Sequence, residues 1–220
     1  MDQPPIPAAL ASFTAGTADE LALTYTDQVV YPRHIVIDRP DAPNRRFPAW
    51  PTPVLLLAIE NQGVCAWGLP LDGDDNPPVI VSGERSDGSD TTIPYGADLD
   101  AYVAARRWDR QCLSSAVVLQ AQADPVDPTT LAYLHANYEQ LPSTAGWPGD
   151  LTYRFRNGPV RIMLWAGADQ CDWFITGTDT DQLADATAAL LPYSDLHTSL
   201  WSNDTAGQEL LNRLRRTPPS

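Results

Sequence analysis

Val54-Leu55-Leu56-Leu57-Ala58-Ile59, then Glu60-Asn61-Gln62-Gly63, then Val64-Cys65-Ala66-Trp67-Gly68-Leu69, is the stretch that decides the fold. Its first six residues are apolar without alternation, the pattern of a strand covered on both faces. The next four turn the chain, with Gly63 free to take the positive φ that a tight turn needs. The second apolar run returns as an antiparallel strand. A further turn, Asp72-Gly73-Asp74-Asp75-Asn76-Pro77, leads into Pro78-Val79-Ile80-Val81, a third strand. Connections this short join antiparallel neighbours, so the spacing predicts a meander.

Upstream, Pro7 to Phe13 reads as a short helix with proline in its first turn. Residues 21–25 read as a short strand, and the Pro- and Arg-rich residues 31–53 as an irregular connection. Downstream, residues 98–122 carry the longest helical pattern. Asp98 is its N-cap, and Leu99, Tyr102, Val103, Arg106 and Trp108 stand at near-helical spacing. Ala123-Asp124-Pro125-Val126-Asp127-Pro128 breaks it and marks a domain boundary. Beyond lie a helix over 129–140, three strands near 151–156, 160–165 and 171–177, and helices over 180–191 and 206–216. The fold class expected is α+β. An antiparallel strand meander packed by helices spans residues 1–124, and a C-terminal extension of three strands plus helix spans 129–220 and packs on it.

Fourteen cationic residues stand against twenty-eight acids, a net charge of −14 at pH 7. Every cation is Arg, and 23 of the acids are Asp. A surface of that sign repels a phosphate backbone, which argues against general nucleic-acid binding. The same sign attracts and steers a basic partner. No apolar run approaches the ~20 residues that cross a bilayer. Met1-Asp2-Gln3-Pro4-Pro5 lacks the basic segment and apolar core of a secretory signal. A cytoplasmic protein without membrane partners is the expectation. Cys65, Cys112 and Cys171 are odd in number and far apart, so they read as small buried residues rather than a disulfide framework or zinc knuckle.

Signatures of catalysis are sparse. A phosphate loop needs Lys, which the chain lacks, and neither a Gly-x-Ser-x-Gly elbow nor a paired-His motif occurs. His34, His135 and His197 could meet only in the fold, and an enzyme built on them needs a deep pocket with a carboxylate beside one of them. Asp72, Asp74 and Asn76 supply oxygens at alternate positions, as a calcium loop does. Pro77, however, stands where such a loop needs Gly, and Gly83 where it needs Glu. No metal or cofactor is therefore expected, and the stretch reads as a solvated acidic turn. The dispersed tryptophans read as core residues rather than a ligand cage. Arg154, Arg156 and Arg161 are spaced to share one face of the C-terminal sheet, pairing with nearby Asp. Glu60, Asn61 and Gln62 admit two readings. Either they satisfy backbone groups around their own turn, or they form with Trp67 a small polar rim for a partner.

Glu60-Asn61-Gln62-Gly63-Val64, Trp67-Gly68, the acidic turn and Pro77-Pro78-Val79, in that order, resemble the SUKH superfamily. That group includes the yeast cell-wall synthesis regulator and many bacterial toxin-immunity proteins. Ile6-Pro7-Ala8-Ala9-Leu10 resembles its leading helix, and Leu99, Tyr102 and Val103 its helix after the third strand. The resemblance covers about residues 1–122 and leaves 129–220 outside. The leading helix is thin in aromatics, with only Phe13, and Arg106-Arg107 interrupt the later one. What the resemblance implies is an α+β fold and a binding role without catalysis, such as occluding a cognate toxin, often a nuclease.

The expected function is thus an acidic intracellular binding protein, most concretely an immunity protein that neutralises a toxin domain by direct occlusion. Its partner is expected to be a basic protein. The contact residues expected are Asp72, Asp74 and Asp75, with Glu60 beside them, and Asn61, Gln62 and Trp67. A scaffold or regulatory module for endogenous partners is the alternative, and an enzyme assembled only in the fold is the third possibility.

Overall fold

The computed structural model describes residues 6–21, 27–84 and 90–216. The chain divides into two compact units: Met1–Arg110 with Thr144–Trp147, and Gln111–Ser143 with Pro148–Ser220. Each is built on its own antiparallel sheet with helices, so the fold class is α+β.

In the first unit a 3-10 helix, Ala8–Ser12, and helix α1, Ala15–Leu21, precede six strands. These are β1 Asp27–Val29, β2 Ile37–Asp38, β3 Val54–Glu60, β4 Cys65–Pro70, β5 Val79–Glu84 and β6 Asp90–Gly96, and helix α2, Leu99–Leu113, follows. The sheet order is β1-β3-β4-β5-β6, with β2 also paired to β3. The expected meander is β3-β4-β5. Every residue of β3 except Ile59 is buried, because its two faces serve two cores. Leu55 and Leu57, with Trp67, Leu69 and Val81, pack against the 3-10 helix, α1 and α2. Val54 and Leu56, with Ala66 and Ile80, are closed over by Phe47 and Trp50 from the connection before β3. Gly68 makes that closure possible. A Cβ there would stand 2.4 Å from Val54 Cγ1 and 2.7 Å from the Phe47 ring. Asp38 fastens the connection, its two carboxylate oxygens accepting the backbone N–H groups of Arg46 at 3.0 Å and Phe47 at 3.2 Å.

The second unit holds β7 Val117–Ala123, α3 Pro128–Asn137, β8 Glu139–Ala145 up to Ser143, β9 Leu151–Asn157, β10 Val160–Ala166, β11 Cys171–Gly177, α4 Thr180–Leu190, α5 Leu196–Ser199 and α6 Thr205–Arg216. Strand order is β7-β11-β10-β9-β8. Leu119, Phe155, Ile162, Leu164, Trp173 and Ile175 share a core with Leu134 of α3, Leu183 and Leu190 of α4, and Leu210 of α6. Asp127 caps α3 by accepting from Thr130 N–H at 2.7 Å, with Pro128 in the first turn.

Four expectations change. The helix expected over 98–122 ends at Leu113, and Val117–Ala123 is a strand in which Val117, Leu119, Ala121 and Ala123 point inward. Ala, Leu and Gln favour helices individually, but the apolar residues here recur every two, and the sheet reads the period. Because β7 pairs with β11, the units divide at Arg110/Gln111 and not within 124–129, and the C-terminal sheet has five strands rather than three. The helix expected over 129–140 stops at Asn137, and β8 follows. Leu21 closes α1 instead of opening a strand, and residues 22–25 lie outside the described residues.

Candidate partner-binding site

Between β3 and β4 the chain reverses over Glu60–Val64. Glu60 is buried, at 5% exposure, and one carboxylate oxygen accepts the Gln62 N–H at 2.7 Å while its carbonyl accepts the Gly63 N–H at 2.8 Å. Gly63 takes φ +77°, as its position in the turn demands. Of the two readings left open, the geometry at Glu60 is the internal one: its carboxylate braces its own turn. Asn61 and Gln62 are exposed at the tip. The neighbouring Cys65 thiol is pushed up by burial and then by the Glu60 charge.

Trp67 is a correction. It is 1% exposed, its ring edge-on to Tyr95 at 6.1 Å and beneath the Arg106 guanidinium at 4.9 Å. An indole held in that way belongs to the core and offers a partner no surface.

The acidic turn is exposed from Asp72 to Asn76. Asp72 Oδ1 accepts the Asp74 N–H at 3.2 Å and Asp74 Oδ1 accepts the Asn76 N–H at 2.9 Å, two successive Asx turns. The Asp75 carbonyl accepts the Ala9 N–H at 3.1 Å, tying the loop to the 3-10 helix. Glu60 does not lie beside this turn. In the β3–β4 pairing Ile59 faces Ala66 at one end and Val54 faces Pro70 at the other. The two turns therefore open at opposite ends of β4, about 20 Å apart at the ordinary rise per strand residue. A meander alternates its ends, so closeness in sequence became distance in space.

Two grooves flank the Glu60–Val64 turn, which sequence reasoning missed. One, about 310 Å³, runs past Asn44, Arg45, Val64 and Ser82. The other, about 360 Å³, is lined by Val30, His34, Val36, Ile37, Leu56 and Ile59, with Asp38 and Ala42. Arg46 borders both and donates from Nη1 to the Gly63 carbonyl at 3.2 Å. The only sequence signal for these grooves was the Arg density of 31–53, read as an irregular connection.

The other candidate residues fall into different surroundings. His34 shares a groove with Asp38, whose carboxylate is occupied by two backbone N–H groups and by Arg45 Nε at 3.5 Å. His135 stands edge-on to Phe155, and His197 lies on α5. Arg156 is paired across β9 and β10 with Arg161, and Arg154 stands two residues along, so the three share a face as expected. Arg156 pairs with Glu139, at 2.7 and 3.0 Å, Arg161 donates to the Gln111 side chain and Arg154 to the Pro142 carbonyl. Among the described residues no three His, Cys, Asp or Glu side chains are placed to hold a metal ion, and no helix is long and apolar enough to cross a membrane.

The class defined by this geometry is an α+β chain of two antiparallel-sheet units with an acidic surface turn and an apolar groove edged by arginine. No family model, curated protein or solved structure matches the chain.

Proposed function

We propose that the protein is a binding protein that neutralises a basic partner by direct occlusion, most concretely an immunity protein for a toxin domain. A nuclease is the kind of toxin that fits best, since it needs a cationic surface for phosphate and an acidic inhibitor can cover that surface. The observation that carries this reading is the Asp72–Asn76 turn. It sets three exposed carboxylates within four residues of a loop tied down by two Asx bonds and the Ala9 hydrogen bond. A charged loop that is ordered before binding loses little conformational freedom on association. The net charge of −14 and the resemblance of the β3–β5 segment to the SUKH superfamily point the same way.

The test is co-purification of the full chain with the product of the gene beside its own. Surface plasmon resonance then follows wild type and D72N/D74N/D75N across ionic strength. Expected is an association rate about tenfold lower in the variant at low salt, with dissociation little changed, since exposed charges act mainly on encounter. Equal rates for the two proteins would remove the turn from the interface. A partner with an acidic contact surface would sink the occlusion model.

A further inference from the structure

Three of the five exposed large apolar side chains among the described residues are Ile35, Val36 and Val64. Val36 and Val64 line the two grooves that meet at Arg46, and Ile35 stands between the lining residues His34 and Val36. Apolar side chains gathered on a folded surface mark an interaction site more strongly than the same residues scattered.

Charge decides what the surface fits. Asp38, the carboxylate in the larger groove, is occupied by two backbone N–H groups and approached by Arg45. Arg46 spends one N–H on the Gly63 carbonyl and is paired with no carboxylate among the described residues. The unanswered charge at the mouth is therefore positive, on a chain whose net charge is −14. The free side of β3 is not available for an added strand, because Val30 and Tyr31 N–H groups go to the Leu57 carbonyl and the Val36 carbonyl accepts the Leu56 N–H. Docking by strand addition to β3 is therefore closed.

We infer that this surface docks an extended segment of a partner protein that carries an aliphatic side chain next to a carboxylate. The aliphatic group enters between Val36 and Ile59, where about 360 Å³ holds one or two such side chains, and the carboxylate meets the open edge of the Arg46 guanidinium. This site uses none of the residues on which the proposed function rests.

The experiment selects phage-displayed random twelve-residue peptides on the full chain. Fluorescence anisotropy then measures the recovered peptide against wild type, R46K, R46Q, V36D and D72N/D74N/D75N. Both groove positions are exposed, and thermal melts check that each variant folds. Expected is a consensus pairing Leu, Ile or Val with Asp or Glu. Its affinity should fall about tenfold in R46Q and V36D, recover partly in R46K, and stay unchanged in the triple Asp variant. Three results overturn the inference: no peptide that distinguishes wild type from V36D, a basic consensus, or self-association that V36D abolishes. A basic consensus lost in D72N/D74N/D75N would sink this site while leaving the occlusion model standing.

Discussion

At the scale of single residues, much of the acidity faces the protein's own backbone. Asp98, Asp127 and Asp179 accept N–H groups in the first turns of α2, α3 and α4. Asp204 does the same for α6, accepting from Gly207 N–H at 2.6 Å while its other oxygen takes Val118 N–H at 3.1 Å and the Ser202 hydroxyl at 3.0 Å. Burial alone would raise the Asp204 carboxyl, but these donors more than offset it and hold it below the usual carboxylate range. A carboxyl depressed in the folded state contributes stability above its unfolded pKa and loses that contribution as pH falls through the folded value. Asp204→Ala is expected to cost about 1–2 kcal/mol at neutral pH, and less in acid below about pH 4. Urea denaturation at both pH values checks this; an equal loss at both would refute the assignment. Gly68→Ala is expected to cost about 1–3 kcal/mol, since the new methyl meets Val54 and Phe47, both wholly buried. Its denaturation midpoint should recover when Phe47 is also shortened to Leu.

Elements were legible where their pattern was strong and hidden where they were short, held a proline or carried helix-favouring residues. β3, β4, β5, β9, β10 and β11 follow from apolar runs and alternation. Of the strands that escaped, β1 and β2 are only three and two residues long, β7 read as helix, and β6 and β8 each contain a proline, Pro94 and Pro142, and lie at the end of their sheets. A residue without an N–H is admissible only where no neighbour needs that donor, so the feature that hides the strand also locates it at an edge. Pro94→Val should restore an outward donor on β6. Increased concentration-dependent association by light scattering is the expected outcome, and an unchanged mass would show that this edge is protected by other means. β7 is managed differently. Trp201 exchanges both backbone hydrogen bonds with Gln120 at 2.8 Å, Asp204 accepts the Val118 N–H, and Asp195 accepts the Asp124 N–H at 3.2 Å. The segment after α4 thus covers the outer edge of β7 without forming a strand.

For the molecule as a whole, acids outnumber arginines two to one in residues 1–110 and again in residues 111–220. The charge is shared between the units, so a specific contact has to come from local arrangement, as in the Asp72–Asn76 turn, and not from net charge alone. Pairs such as Arg156–Glu139 and Arg213–Asp181 are exposed and contribute little to stability. Self-repulsion then dominates the response to salt. Between about 0.01 M and about 0.1 M salt the screening length shrinks from about 30 to about 10 Å. The thermal midpoint is expected to rise by a few degrees, read by differential scanning fluorimetry, and a fall would mean that ion pairs outweigh the repulsion.

By itself the sequence determined what depends on neighbours along the chain: the meander of β3, β4 and β5, the Asp98 cap of α2, the acidic turn and the sign of the charge. Periodicity and turn chemistry are local, and local physics writes them directly into residue order. Only the tertiary structure decided that Glu60 and Asp72 lie at opposite ends of a strand and that Trp67 is enclosed. It alone set Val36 and Val64 in grooves that share Arg46, because these relations depend on which residues from distant segments close over the same face of a sheet.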